Sequence, residues 1–349
     1  MKPADSDAPR VVVFALGGTI AATGSGGVSP SLSADQLVSA VPGLAATGVT
    51  VEVEDFRKLP GTSLSFEDLT ALVDAIRART AQGVDGVVVT QGTDTIEESA
   101  YYLDLLHDGP HPVVVTGAMR NPTLAGADGP ANILAAIQVA ASPDARYQGC
   151  VVVFADEIHA ARRVRKTHST SGHTFQSPNG GPLGYVVEGR PRFLNALGGR
   201  FVVPAAHAAV QPTVGLVTVT LGDDGTMLEQ ASRHLDGLVV AAFGAGHVPV
   251  ALVPLLAQVA ERIPVVLASR TGGGSVLASR YGFPGSESDL LNRGLISAGF
   301  LDPLKARVLL RTLLTAGGDR DAIAAAFGAA GGYREPADWP WPLDRHQPA

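Results

Sequence analysis

Val84-Asp85-Gly86-Val87-Val88-Val89-Thr90-Gln91-Gly92-Thr93-Asp94-Thr95 carries the chain from a largely apolar, β-branched run into a helix-like segment. A strand that ends in hydroxyls, a glycine and a carboxylate presents reactive groups where open parallel sheets bind small ligands. The same arrangement stands near the N-terminus, where Val11 to Leu16 runs into Gly17-Gly18-Thr19-Ile20-Ala21. Two threonines at two strand ends point to one site.

Along the chain, short β-branched runs alternate with longer periodic ones, the pattern of crossover units around a parallel sheet. Strands are expected at Val11 to Leu16, Val84 to Thr90, Pro112 to Thr116 and Cys150 to Ala155. A helix is expected over Phe66 to Thr80, where Phe66, Leu69, Leu72, Val73 and Ile76 share one face and Ser65, three residues before Asp68, can cap it. A second, Ile96 to His107, would set Asp94 and Thr95 at its positive end. From Arg190 to Gln211 the pattern loosens into an extended connection. Alternation restarts with strands Val214 to Thr220, Gly237 to Ala242 and Pro264 to Ala268 and an apolar helix, Val250 to Arg262. The tail from Gly331, with Trp339-Pro340-Trp341-Pro342, cannot be helical and is expected to lie over the surface.

With 349 residues, 46% hydrophobic and 17% charged, the chain can fill two cores. A net charge of −7 without any acidic or basic block favours neither nucleic acid nor an anionic membrane as partner, and suits a small neutral or zwitterionic substrate. Cys150 is the single cysteine, which excludes an internal disulfide, and its place in Cys150-Val151-Val152-Val153-Phe154 reads as a buried strand thiol. Residues 1–10 show no apolar signal-peptide core, and no apolar run reaches the roughly 18 residues of a membrane span, so a cytoplasmic protein is expected.

The polar clusters of the first half all fall at expected strand ends: Gly17-Gly18-Thr19, Thr90 to Thr95, Gly117-Ala118-Met119-Arg120 and Asp156-Glu157. They converge if the strand order leaves them adjacent. A threonine hydroxyl needs a neighbouring base to act as a nucleophile. The candidate is Lys166, one of four lysines, in Arg162-Arg163-Val164-Arg165-Lys166-Thr167-His168. An ordinary lysine is protonated at neutral pH, and burial with nearby cations favours the free amine. Taken alone, that stretch also reads as a solvated basic turn, and Thr93 with Asp94 as a helix cap.

Gly17-Gly18-Thr19-Ile20-Ala21, Thr90-Gln91-Gly92-Thr93-Asp94-Thr95 and Lys166-Thr167 together resemble the two threonine signatures and the lysine of the bacterial-type L-asparaginase and glutaminase-asparaginase family. Gly117-Ala118-Met119-Arg120, Ala127-Asp128-Gly129-Pro130, Ser177-Pro178-Asn179, Gly181-Pro182-Leu183-Gly184-Tyr185 and Lys305-Ala306-Arg307-Val308-Leu309-Leu310 follow in the family's order. The resemblance spans roughly Val11 to Ala325. It implies an α/β protein with a larger N-terminal domain (1–195), built on a mostly parallel sheet with flanking helices. An interdomain linker (196–212) and a smaller C-terminal flavodoxin-like α/β domain (213–349), with the Pro/Trp-rich tail, complete it.

The implied activity is hydrolysis of L-asparagine to L-aspartate and ammonia by a homo-oligomer, dimer or tetramer, without metal or organic cofactor. Thr19 matches the primary nucleophile, Thr93 and Lys166 the pair that activates water, and Asp94 the carboxylate for the substrate's α-ammonium. Main-chain donors around Gly92 and Thr93, with Ala118 nearby, match the substrate cradle.

This chain departs from the family at three places. The N-terminal lid segment Thr23 to Pro30 holds no tyrosine, and an ungapped alignment puts Gly27 or Val28 in its place. The serine for the α-carboxylate falls near Gly61, beside Thr62 and Ser63. The histidine before Gly-Thr-Asp is Gln91, a change expected to be tolerable beside the reacting groups. From the second domain the resemblance implies an acid, for which Glu287 is the candidate, and an amide, at whose place His247 stands. Two other readings stay open: a non-catalytic amino-acid sensor of the same fold, and a glutaminase-asparaginase of broader specificity. A dinucleotide site is disfavoured because Leu16-Gly17-Gly18-Thr19 lacks the spaced third glycine and Thr271-Gly272-Gly273-Gly274-Ser275 lacks a phosphate-loop lysine. An amide-transfer subunit acting on charged tRNA is disfavoured by the acidic balance.

Overall fold

The computed structural model describes residues 8–18, 22–23, 29–30, 34–204 and 211–342. The chain divides into two compact units between Leu197 and Gly198. The first unit opens with β1 (Arg10–Ala15), the mutually paired β2 (Ala22–Thr23) and β3 (Ser29–Pro30), α1 (Ala34–Ser39), β4 (Thr50–Asp55) and α2 (Phe66–Ala81). It continues through β5 (Gly86–Thr90), α3 (Ile96–Leu106), β6 (Val113–Thr116), α4 (Gly129–Ala140) and β7 (Cys150–Phe154). Five short strands complete it: β8 (Glu157–Ala160), β9 (Arg165–Lys166), β10 (Phe175–Gln176), β11 (Gly184–Val187) and β12 (Arg190–Phe193).

Eight strands form one sheet in the order β12-β11-β8-β7-β6-β5-β1-β4. From β4 to β7 every pairing is parallel, and β8, β11 and β12 extend the β7 side with antiparallel strands. The chain steps from β1 to β4 on one side and then returns to build β5, β6 and β7 on the other. Connections therefore part between β1 and β5, the place where open sheets leave a crevice at their carboxyl ends. Strand alternation turns Val11, Val13, Val88, Val114, Val151 and Val153 into one core with Ile133, Ala136, Ile137 and Ala140 of α4. Each fully buried branched aliphatic of this kind contributes about 1.5 to 3 kcal/mol.

α2 and α3 pack on each other, and α3 lies against β7 and β6. As expected, Ser65 and Asp68 exchange side-chain and main-chain hydrogen bonds in a capping box at the start of α2, and Leu69, Leu72, Val73 and Ile76 face inward. Cys150 is a buried thiol in β7. The antiparallel strands, β4 and α4 were not expected. Gly129-Pro130 reads as a turn in isolation, yet proline at the first helical positions starts α4 without losing an intrahelical bond.

On β8, His159 is 1% exposed and shares a 2.9 Å hydrogen bond with Ser177 Oγ. Burial, with a smaller contribution from His173, lowers its pKa from 6.5 to about 4. A Glu157 carboxylate oxygen 3.1 Å from Nε2 would favour the charged ring, but the pair lacks hydrogen-bond alignment and desolvation prevails. The unfolded chain therefore takes up a proton below about pH 6.5 that the folded chain refuses until about pH 4. Stability is expected to fall across that window by up to about 3 kcal/mol. Urea midpoints measured against pH should show this slope, and His159→Gln should flatten it. An unchanged slope in the variant would assign the acid lability to other groups.

The second unit alternates β13 (Val214–Thr218), α5 (Thr226–Ser232), β14 (Gly237–Ala242), α6 (Val253–Arg262), β15 (Val265–Ser269), α7 (Glu287–Asn292) and β16 (Ile296–Ser297), then α8 (Pro303–Thr315) and α9 (Arg320–Ala330). Its four strands are parallel and sequential, β13-β14-β15-β16. Leu256, Val259 and Ala260 of α6 pack with Leu238, Val240, Val265 and Leu267 on one face. On α8, Lys305 is fully buried and Arg307 Nε donates to Val214 O, so the Lys305 to Leu310 motif serves the fold.

From 332 to 342 the tail lies mostly exposed, as expected, but it is pinned at Trp339. Pro336–Asp338 forms a 3-10 turn, and Trp339 is buried with its ring on Phe201 and its indole N–H donated to Val202 O. A large apolar ring with one donor is more stable inside than over the surface. Arg200, Phe201 and Val203, in the stretch read as a connection, are buried as well.

Candidate active site

Parallel strands deliver three polar segments to one edge of the first sheet: Gly17-Gly18 after β1, Thr90 to Thr95 after β5, and Gly117 to Arg120 after β6. Because β1 pairs with β5 and β5 with β6, these segments are immediate neighbours. Thr19 lies outside the described residues, as do residues 24–28 of the segment read as a lid.

Main chains pack directly on one another here. A Cβ on Gly18, whose φ is +93°, would lie 2.2 Å from Gly92 N and 2.4 Å from Gly92 Cα. A Cβ on Gly61 would lie 2.9 Å from Gly92 O. Three glycines from three connections thus form the floor, and no larger residue lets the loops approach as closely. Gly61 begins the 3-10 turn Gly61–Ser63, in which Thr62 and Ser63 are exposed.

Thr93 and Asp94 sit in the 3-10 turn Thr93–Thr95 that leads into α3, and neither acts as a side-chain cap. Lys166 Nζ donates to Thr93 Oγ1 at 2.9 Å and to Asp94 Oδ1 at 2.6 Å. The Lys166 side chain is 13% exposed and that of Asp94 63%, so the amine is enclosed while the carboxylate opens to solvent. Thr93 is itself buried. The stretch read alternatively as a solvated basic turn therefore brings its lysine inward, on the small β9-β10 ribbon.

Gln91 is fully buried beneath this turn and donates from Nε2 to Gly92 O, Thr95 Oγ1 and Ser99 Oγ. Both hydroxyl protons are committed elsewhere, Thr95 to Gly61 O and Ser99 to Thr95 O, so residue 91 must supply N–H. An amide meets that need without titrating. Ala118 is buried after β6. Its loop is held by Asp128, whose carboxylate accepts the Met119 and Arg120 N–H groups while Asn132 donates to Gly117 O. The Ala127-Asp128-Gly129-Pro130 motif thus acts through the loop it ties. Asp128 and Gln91 both stand in motifs visible in the sequence, but the partners that give them their roles, the Met119 and Arg120 N–H groups and the Thr95 and Ser99 hydroxyls, are brought to them only by the folded turns.

Glu287 lies in the second unit, fully buried at the start of α7. Its carboxylate accepts the Arg280 and Tyr281 N–H groups at 2.8 Å each and meets His247 Nε2 at 3.2 Å. Burial works to raise its pKa, but the main-chain donors at Tyr281, Glu287 and Arg280 and the imidazole outweigh it and hold the carboxyl below its ordinary range. The His247 ring packs edge-on against Tyr281 and Phe283. No group of His, Cys, Asp and Glu suited to a metal ion occurs among the described residues. Among them, no helix is long and apolar enough to cross a membrane.

Likeness to known proteins follows the same boundaries. Residues 10–197 match the family model of the asparaginase N-terminal domain, and residues 213–327 match that of the glutaminase/asparaginase C-terminal domain. A protein named probable L-asparaginase from Deinococcus radiodurans is 37% identical over 91% of this chain and 97% of its own. One named probable L-asparaginase periplasmic from Haemophilus influenzae is 34% identical over 92% of this chain and 93% of its own. Among solved structures, a probable cytoplasmic L-asparaginase from Campylobacter jejuni superposes with a TM-score of 0.82 at 32% identity, covering 91% of this chain and 99% of that one.

Proposed function

Because the chain belongs to the bacterial-type L-asparaginase family, with both family domains present, we propose that it hydrolyses L-asparagine to L-aspartate and ammonia through a threonine acyl-enzyme. The observation that carries this reading is the 2.9 Å contact of Lys166 Nζ with Thr93 Oγ1 at the end of β5, beside the Gly18 end of β1.

In the proposed course, substrate enters with its α-ammonium on Asp94 and its α-carboxylate toward Thr62 and Ser63. The arriving ammonium competes with Lys166 Nζ for the Asp94 carboxylate. Thr19 Oγ attacks the side-chain amide carbon, its hydroxyl proton passes to the amide nitrogen, and the carbonyl electrons pass to an oxyanion met by N–H groups at Gly92, Thr93 and the Ala118 loop. Collapse of the adduct breaks the C–N bond, the nitrogen leaves as ammonia with the proton it has gained, and an ester to Thr19 remains. Water held at Thr93 attacks the ester as its proton passes by way of Lys166 to the departing Thr19 Oγ, which restores the hydroxyl and releases L-aspartate. No step requires a metal or an organic cofactor.

We read the working protein as a homo-oligomer, dimer or tetramer, in which His247 is the presented member of the second unit's pair and the saturated Glu287 carboxylate holds it. We adopt a cytoplasmic location, the one given in the name of the Campylobacter jejuni protein.

Purified protein is expected to release ammonia from L-asparagine, and hydroxylamine is expected to divert part of the product to the hydroxamate by intercepting the ester. Calorimetric binding without ammonia above blank would establish the sensor reading instead. Asparagine and glutamine differ by one methylene, worth about 1 to 3 kcal/mol of discrimination, and steady-state kcat/KM for both separates an asparaginase from an enzyme of broader specificity.

A further inference from the structure

We propose that Glu97 is a positioning residue that fixes the main chain of Lys166, so that one helix start holds both ends of that lysine. The inference rests on the reading of Thr93 and Lys166 as a working pair.

Two acids, Glu97 and Glu98, stand in the first turn of α3. Either would complement the helix dipole from a solvated position. Glu97 is instead only 5% exposed, which the dipole does not require. Its Oε1 accepts the main-chain N–H of Lys166 at 3.2 Å.

The geometry of the β9-β10 ribbon explains why an outside acceptor is needed there. Thr167 N–H donates to Thr174 O, and the next opposed pair is Lys166 with Phe175. Antiparallel strands alternate between pairs that exchange hydrogen bonds and pairs that do not, so the N–H of residue 166 turns away from β10. Among the described residues the ribbon has only two strands, so no third strand meets that N–H. The Glu97 carboxylate takes the place such a strand would fill.

Among the described residues, the hydrogen bonds given by residue 166 therefore land on a single segment: N–H on Glu97, Nζ on Thr93 and Nζ on Asp94. That segment is continuous, from the 3-10 turn at 93–95 into the first turn of α3. A long, freely rotating lysine stem anchored at its Cα end as well as its tip keeps Nζ on Thr93. Released at the Cα end, the amine samples other positions, and a displacement of roughly 1 Å can cost about 100-fold in rate.

The test uses full-length Glu97→Ala and Glu97→Gln, with kcat, KM for L-asparagine, melting temperature and the rate of Lys166 modification by an amine-selective acylating reagent, read on the Lys166 peptide by mass spectrometry. Glu97→Ala is expected to lower kcat by about 10- to 100-fold with KM changed by less than about threefold, and to speed Lys166 modification severalfold. Glu97→Gln keeps a carbonyl acceptor and is expected to retain kcat within about threefold of wild type. A group that served stability alone would lower the melting temperature and leave Lys166 modification unchanged. If Glu97→Ala does not fold, Glu97→Asp, which draws the acceptor back by one methylene, should show faster modification and reduced kcat. Unchanged kcat and modification in the folded Ala or Asp variant would overturn the proposal, as would a Gln variant no better than Ala. The modification rate needs no turnover, so a wild-type protein that releases no ammonia refutes the functional reading and leaves Glu97 to be judged on its own arm.

Discussion

Lys166→Met lowers the turnover of L-asparagine by about 10³-fold or more, with the melting temperature held within about 4 °C of wild type. Methionine preserves the length and apolar stem of lysine and removes only the amine, so packing along the β9-β10 ribbon survives. What is lost is the 2.9 Å contact to Thr93 Oγ1 and the 2.6 Å contact to Asp94. The partner carboxylate is 63% exposed and is rehydrated when the amine goes, which limits the stability loss to about 1 kcal/mol or less. Thr93→Ala is expected to cost turnover on the same scale, and the double variant to be little worse than either alone, because groups acting in one step fail together. Ammonia release and thermal melts on the three proteins decide the matter. A Lys166→Met enzyme within tenfold of wild type would remove the lysine from the chemistry.

Gly18→Ala carries the second large effect, on stability and activity at once. The added Cβ meets Gly92 main-chain atoms at 2.2 and 2.4 Å, and main chain cannot turn aside as a side chain can. The site also has a φ of +93°, a conformation that a Cβ disfavours. Overlap and strain together are expected to cost about 3 kcal/mol or more, a fall in melting temperature of roughly 6 to 12 °C. Whatever fraction folds must open the gap between the β1 and β5 connections, and turnover falls with it. Gly48→Ala is the control, since its φ of +69° is also left-handed but nothing lies within 4 Å of the new Cβ. It should show the backbone cost alone, about 1 kcal/mol. Equal losses in the two variants would mean that the close approach at Gly92 carries no weight.

Much of the fold can be read along the chain because its signals are local. Val87-Val88-Val89 fills a buried strand, and the Ser65 and Asp68 capping box marks the start of α2, each from residues adjacent in sequence. The antiparallel edge β8-β11-β12 cannot be read this way. Its strands are four residues long and pair outward from the edge of β7 one after another, β8 on β7, β11 on β8 and β12 on β11, rather than by any alternation of their own. Trp339 likewise looks like a surface residue among prolines until Phe201 and Val202, far back in the chain, supply its ring contact and acceptor.

The amino-acid sequence by itself determined the class of this protein and which polar residues stand at its strand ends, because β-branched runs, glycines and the Thr93-Asp94 and Lys166 signatures are read from the residues beside them. Only the tertiary structure decided that Gly18 and Gly61 each close on Gly92, that Lys166 reaches Thr93, and that Glu97 accepts the main-chain N–H of residue 166. Those contacts join residues up to 74 positions apart, as Gly18 and Gly92 are. Their distances depend on strand order and on how closely main chains approach, quantities that no local pattern encodes.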